Sequence, residues 1–138
     1  MKRDPRLHGL SSEHHHALVL ARTCAARAGA WTQADGTELA ARFEAELEPH
    51  FRTEEEVLLP ALREACAEAL AEQLEREHAV LRSLLRAAQA GDGPAATELA
   101  TRLSEHVRFE ERELFPACEA RLPSHVLDEV ARRAPKAT

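Results

Sequence analysis

Two stretches of the chain repeat one arrangement of metal-ligating residue types. His50-Phe51-Arg52-Thr53-Glu54-Glu55-Glu56-Val57-Leu58-Leu59-Pro60 is matched 56 residues later by His106-Val107-Arg108-Phe109-Glu110-Glu111-Arg112-Glu113-Leu114-Phe115-Pro116, with six of eleven positions identical. In each copy a His precedes a Glu by four residues, and on a helix that offset puts imidazole and carboxylate on one face. A solitary pair of this kind is ordinary surface decoration, as expected for His125 and Glu129; the shared eleven-residue frame is what sets these two apart.

Two further His residues fit the same scheme. His14 and His78 each follow a Glu (Glu13, Glu77) and each stand four residues after a Leu (Leu10, Leu74) on an apolar stripe. Imidazoles converging in a core are costly without partners. Four neutral imidazoles with two bridging carboxylates, however, can hold two divalent ions. The candidate ligands are therefore His14, His50, Glu54, His78, His106 and Glu110, and no residue is singled out as catalytic. His15, about 100° around the helix from His14, is a further candidate, as a second ligand or as support. Mixed nitrogen and oxygen donors suit iron, manganese or zinc better than copper(I) or a cluster. Glu55 and Glu111 are expected to face outward or to stand behind the ligands, with Arg52 and Arg108 as their ion-pair partners.

Positioning these groups calls for four helices. The first runs from near Leu7 or Ser11 to about Ala28, with Ser11 or Ser12 able to cap it. The second starts near Thr37, with a kink or break expected at Pro49 and another irregularity at Pro60. If the four His share one level of an up-down-up-down bundle, the chain reverses near the midpoints 32, 64 and 92. The first falls in Gly29 to Gly36 and the last in Ala90-Gly91-Asp92-Gly93-Pro94, both rich in turn residues. The middle one falls in an unmarked helix-forming run, so a turn is expected around Arg63 to Glu68. The third helix covers about Leu70 to Ala90, the fourth opens at Pro94, and Ser124 to Arg133 makes a short fifth. The reading is all-α: an up-down-up-down four-helix bundle with a short C-terminal fifth helix, one domain over 1–138 with its core at about 10–122.

Composition narrows the rest. At 138 residues, with 4% aromatics and no Tyr, the chain suits a single helical core rather than a sheet. A net charge of −6 with no broad basic face makes nucleic acid an unexpected partner. No apolar run reaches the ~20 residues of a membrane span, and the N-terminus lacks a signal-peptide pattern. Cys24, Cys66 and Cys118 are few, odd in number and scattered, which fits buried thiols and a cytoplasmic, reducing setting.

The residues quoted above carry a resemblance. Glu13-His14-His15, the two His-Xaa-Arg-Xaa-Glu-Glu-Xaa-Xaa-Leu-Xaa-Pro frames and Glu77-His78 resemble the hemerythrin-like, or HHE cation-binding, family over about residues 10 to 122. The resemblance implies an up-down four-helix bundle around a non-haem, oxo- or hydroxo-bridged di-iron centre. It implicates His14 or His15, His50, Glu54, His78, His106 and Glu110 as ligands. Oxygen carriers of the family have a second His four residues after the helix-three His, where this chain has Arg82. They have an Asp five residues after the helix-four His, where it has Glu111. Relatives with the four-His, two-Glu set are associated with sensing or handling iron, dioxygen or nitric oxide. The expectation is thus a di-iron protein that binds or senses dioxygen or nitric oxide, or handles iron. Peroxide or oxygen catalysis at the same centre is the alternative, weakened by the lack of Tyr and of a placed general acid. A bundle stapled by a structural metal such as zinc is the other.

Overall fold

A computed structural model of the chain describes residues 2–135, and among the described residues there are helices and no strand. The longest elements are α1 (His8–Arg27), α2 (Gln33–Glu46), α5 (Glu68–Gln89) and α6 (Gly93–Phe109). Between α2 and α5 run α3 (Glu48–Thr53), a π-helical turn (Glu54–Leu58) and α4 (Leu59–Glu64). After α6 come a second π-helical turn (Glu110–Leu114), α7 (Phe115–Arg121) and α8 (Ser124–Arg133). α1 packs on α6 and α2, and α5 packs on the same two helices, so the four enclose one interior. α8 closes one end, packing on the Pro5–Leu7 turn and on the first π-helical turn. No described helix is long and apolar enough to cross a membrane.

Helix starts differ from the expectation in instructive ways. α1 begins at His8, led in by the Pro5–Leu7 turn that Asp4 caps, so neither Ser11 nor Ser12 serves as its cap. α2 begins four residues before Thr37. Thr32 and Asp35 form a reciprocal capping box, Thr32 Oγ1 accepting from the Asp35 N–H at 3.1 Å and Asp35 Oδ2 accepting from the Thr32 N–H at 2.9 Å. Gly36, which suggests a loop in sequence, lies inside α2; a Cβ there would sit 2.5 Å from the Ala88 carbonyl oxygen. It is small because α2 presses on the end of α5 there. Trp31 is half-buried beside this contact and donates its indole N–H to the same carbonyl at 2.8 Å.

The breaks follow the prolines. Leu47 interrupts the second rod, and Pro49 sits in the first turn of α3, where its missing N–H costs nothing. The reversal between α4 and α5 falls at Ala65-Cys66-Ala67, inside the unmarked stretch, with Cys66 in the left-handed conformation (φ 60). Cys66 is exposed, contrary to the buried-thiol expectation, while Cys24 and Cys118 are buried and all three are free.

Apolar residues form two clusters, one on each side of the histidines. Leu10, Leu58, Leu62, Leu74 and Phe115 belong to one, and Ala17, Leu20, Phe43, Phe51, Leu81 and Leu103 to the other. Each fully buried Leu is worth about 1.5–3 kcal/mol. Along α1 the sequence Leu10, His14, Ala17 steps from one cluster through the polar layer to the other, and along α5 Leu74, His78, Leu81 does the same.

Candidate metal centre

Six of the seven candidate ligands meet in that layer. His14, His50, Glu54, His78, His106 and Glu110 are between 0% and 5% exposed. They form two groups, His14-His50-Glu54-Glu110 and Glu54-His78-His106-Glu110, in each of which the donor atoms lie within 4.8 Å of one another. Both carboxylates belong to both groups; the histidines are divided between them. His15 does not join: one helix position on from His14, it is exposed and belongs to neither group.

The π-helical turns bring the carboxylates in. Each begins at the Glu of the His-x-x-x-Glu pair and is closed by a wide hydrogen bond, Leu59 N–H to the Glu54 carbonyl and Phe115 N–H to the Glu110 carbonyl. Pro60 and Pro116 follow in the first turn of α4 and α7, and neither can donate the N–H that a regular α-helix would require of it. A π turn at this place is a recurrent way of turning side chains into a site. The sequence signal was the proline at a fixed distance from each ligand pair.

All four imidazoles are held alike. Each aims Nε2 at a shared carboxylate: His14 at 2.6 Å from Glu110 Oε1, His50 at 3.0 Å from Glu54 Oε2, His78 at 3.0 Å from Glu54 Oε1, and His106 at 2.9 Å from Glu110 Oε2. Each offers Nδ1 to a second carboxylate behind it: His14 to Glu111 (2.7 Å), His50 to Glu13 (3.0 Å), His78 to Glu55 (2.6 Å) and His106 to Glu77 (2.6 Å). A carboxylate taking the Nδ1 proton fixes the tautomer that presents an Nε2 lone pair inward, the usual support of a metal-ligating His. Glu13 and Glu77 thus have a role that their position before His14 and His78 only hinted at. Glu55 and Glu111 stand behind His78 and His14, but their arginine partners are Arg82 and Arg3 instead of Arg52 and Arg108. Arg52, itself exposed, reaches Glu44 and Glu48 at 3.9 Å each. On α8, Glu129 pairs with Arg132 and not with His125.

Charge in the layer is balanced by opposition. Burial disfavours imidazolium at all four histidines, yet the facing carboxylates outweigh it and raise the pKa of His14, His50 and His78, while His106 is pushed up to about 10. Burial likewise disfavours the Glu110 carboxylate, but His106, His14 and His50 hold its pKa well below the ordinary range. The facing carboxylates thus favour the imidazolium form at these four histidines. Two divalent ions carry the same four charges as the four protons they would displace.

The donor set fits metal on a further count. Glu54 Oε2, Glu110 Oε2 and His106 Nε2 are buried and without a hydrogen-bond partner, although His50 and His106 bring ring nitrogens within 3.0 and 2.9 Å of those two oxygens. Atoms that crowd together without the alignment of a hydrogen bond point at a common space between them. Buried polar atoms are seldom left so.

A cavity of about 210 Å³ between α5 and α6 reaches this layer, bounded by Val80, Leu81, Glu77 and His106 and rimmed by Arg76 and Arg102.

No curated protein and no solved structure matches the chain. The family model of the hemerythrin HHE cation binding domain matches residues 6–118. That span takes in both frames, both Glu-His pairs and all six converging residues, and the chain belongs to the hemerythrin HHE cation-binding domain family.

Proposed function

We propose that this chain is a single-domain, up-down-up-down bundle holding a non-haem di-iron centre that binds or senses dioxygen or nitric oxide, or handles iron. His14, His50, Glu54 and Glu110 would surround one ion, and Glu54, His78, His106 and Glu110 the other. The observation that carries this reading is the pair of buried two-His, two-Glu groups that share both carboxylates. Two nitrogen and two oxygen donors per ion leave positions free in the larger shell that iron prefers. Iron bound there would supply coordination of a diatomic ligand and electron exchange with it. The chain's own residues would supply the rest. Glu13, Glu55, Glu77 and Glu111 hold the Nδ1 protons, the two apolar clusters exclude bulk water, and the cavity beside His106 gives a small ligand a way in.

Four protein donors also complete the tetrahedral shell of a structural zinc, so metal identity decides between a ligand-binding centre and a staple. Chain purified without added metal is analysed for iron and zinc, then loaded anaerobically with ferrous ion and exposed to air. The expected result is about two irons per chain, two being the number of groups, and charge-transfer absorption of a coupled ferric pair. A colourless protein that keeps two zinc ions and takes up no iron would overturn the proposal.

A further inference from the structure

Behind His14 and His78 stand two assemblies of the same residue types. At His78, the Phe51 ring stacks on the imidazole at 4.0 Å with the planes 8° apart, and the Arg82 guanidinium lies 5.3 Å from the centroid of that Phe51 ring. The same guanidinium donates to Glu55 at 2.6 and 3.2 Å, the carboxylate that receives the His78 Nδ1 proton, and to Glu48 at 2.6 Å. At His14, Phe115 stacks at 5.5 Å and 6°, and Arg3 lies 5.4 Å from the Phe115 centroid. Arg3 donates to the Glu111 carboxylate at 3.3 Å and its carbonyl at 2.7 Å, and to Glu119 at 2.9 Å, while Glu111 receives the His14 Nδ1 proton.

The sequence does not repeat this closure. Arg82 lies on α5, four residues after His78; Arg3 precedes α1, eleven residues before His14. Phe51 follows the His of the first frame, whereas Phe115 comes just before the proline of the second. One ion pair beside a buried site needs no explanation. The same closure by arginine and phenylalanine around the glutamate that both frames share, reached twice from unrelated places in the chain, does.

We propose that Arg3 and Arg82 are positioning residues of the metal centre, Arg3 for His14 and Arg82 for His78. The stacked phenylalanine sets the plane of the imidazole, and the Nδ1 hydrogen bond sets its rotation within that plane. The arginine ties the two together, because its guanidinium lies over the ring while donating to the carboxylate, through both terminal nitrogens at Arg82 and through one at Arg3, whose other terminal nitrogen holds Glu119, a combination lysine cannot make. Each arginine therefore governs one ion: Arg82 the group containing His78, Arg3 the group containing His14. This inference rests on the metal-centre reading above.

The test uses the full chain, stripped of metal and titrated with cobalt(II) against a chelator, with imidazole NMR of the zinc-loaded form. Arg82→Gln should weaken one of the two equivalents by ~10–100-fold, the usual cost of losing such a supporting partner, and leave the other unchanged. Its His78 Nδ1–H signal should broaden through faster exchange while that of His14 stays sharp. Arg3→Gln should give the mirror pattern, and Arg82→Lys should behave like Arg82→Gln. Because Arg82 acts through Glu55, adding Arg82→Gln to Glu55→Gln should cost less than the two losses combined. Unchanged affinities and signals in variants of a wild type that binds metal would overturn the positioning role alone. So would equal weakening of both ions accompanied by loss of helical circular dichroism. A wild type that takes up neither cobalt nor zinc would overturn the metal centre, and this role with it.

Discussion

In the second copy of the repeated frame, α6 runs unbroken from Gly93 to Phe109 and passes straight into the π-helical turn. In the first, the chain breaks at Leu47 and restarts at Glu48, two residues before His50. Past the histidine the two copies coincide. Each has a His to Glu contact of about 3 Å (3.0 Å for His50 to Glu54, 2.9 Å for His106 to Glu110), a π turn opened by that Glu, and a proline in the following helix. The difference teaches that the segment from His to Pro is the unit that builds the site, and that the backbone leading into it is free to vary.

The two ligand groups offer the sharpest way to break that equivalence. They share Glu54 and Glu110 but divide the histidines. Glu110→Ala should therefore empty both positions, lowering affinity by more than the ~10–100-fold cost of losing a supporting partner. His50→Ala and His106→Ala should each remove one ion and leave the other. Metal content after gel filtration checks this. Loss of both ions in one histidine variant and of neither in the other would show that the halves are not equivalent.

Proton linkage should be nearly as large. Folded-state pKa values raised above the ordinary imidazole value mean that the layer stabilises the metal-free chain below pH ~6.5. That contribution fades as pH rises through the raised values, near 10 for His106. Metal affinity runs the other way, since ions must displace those protons. Zinc added to weakly buffered metal-free chain at pH 7 should release up to four protons, one per imidazole, as read by a pH indicator. Release of none would contradict ligation by these histidines.

The prolines test what the frame contributes. In the second copy Pro116 is the one proline between α6 and the end of α7 beyond its opening turn; in the first, Pro49 remains if Pro60 is replaced. Pro116→Ala restores the N–H that a regular α-helix needs and should cost ~10-fold in metal affinity, about 1.4 kcal/mol. Pro60→Ala should cost less. Equal losses, measured by competition titration, would mean that packing holds the π turns and the prolines do not.

A smaller asymmetry concerns access, because the cavity beside Val80 adjoins His106. Val80→Phe should slow association of nitric oxide or azide with the iron-loaded chain several-fold while metal content stays unchanged. Stopped-flow rates that match wild type would place the ligand's route elsewhere.

Much of this arrangement could be read from residue types and offsets. The shared level of the histidines followed from His14, His50, His78 and His106 standing on apolar stripes, and the two Gly-bearing reversals from ordinary turn chemistry. What stayed hidden depended on three-dimensional closure. Arg3 and Arg82 have no common spacing from the histidines they support, and Arg52 and Arg108, which the frame repeats, turn out to be exposed. Gly36 misled because a glycine required for close packing on Ala88 looks, in sequence, like one required for a turn. That His14 and not its neighbour His15 joins the buried groups became visible only once the helix was oriented.

The two turns flanking α5 give the smallest and cleanest contrast. Both end a helix with the same hydrogen bonds: Ala67 N–H to the Leu62 carbonyl with Cys66 N–H to Arg63, and Asp92 N–H to the Ala87 carbonyl with Gly91 N–H to Ala88. This is the Schellman pattern, whose key residue adopts positive φ. Gly91 does so at φ 101 and Cys66 at φ 60. A residue with a Cβ pays roughly 1–2 kcal/mol for that conformation, which is why the first turn carried no glycine signal and had to be inferred from histidine spacing. Cys66→Gly should therefore raise stability by about 1 kcal/mol, offset in part by the greater freedom of glycine in the unfolded chain. Gly91→Ala, with open space around it but the wrong backbone, should lower it by about as much. Urea denaturation of the metal-free chain measures both. If Cys66→Gly proves destabilising instead, the exposed thiol makes a contribution at that turn beyond its backbone conformation.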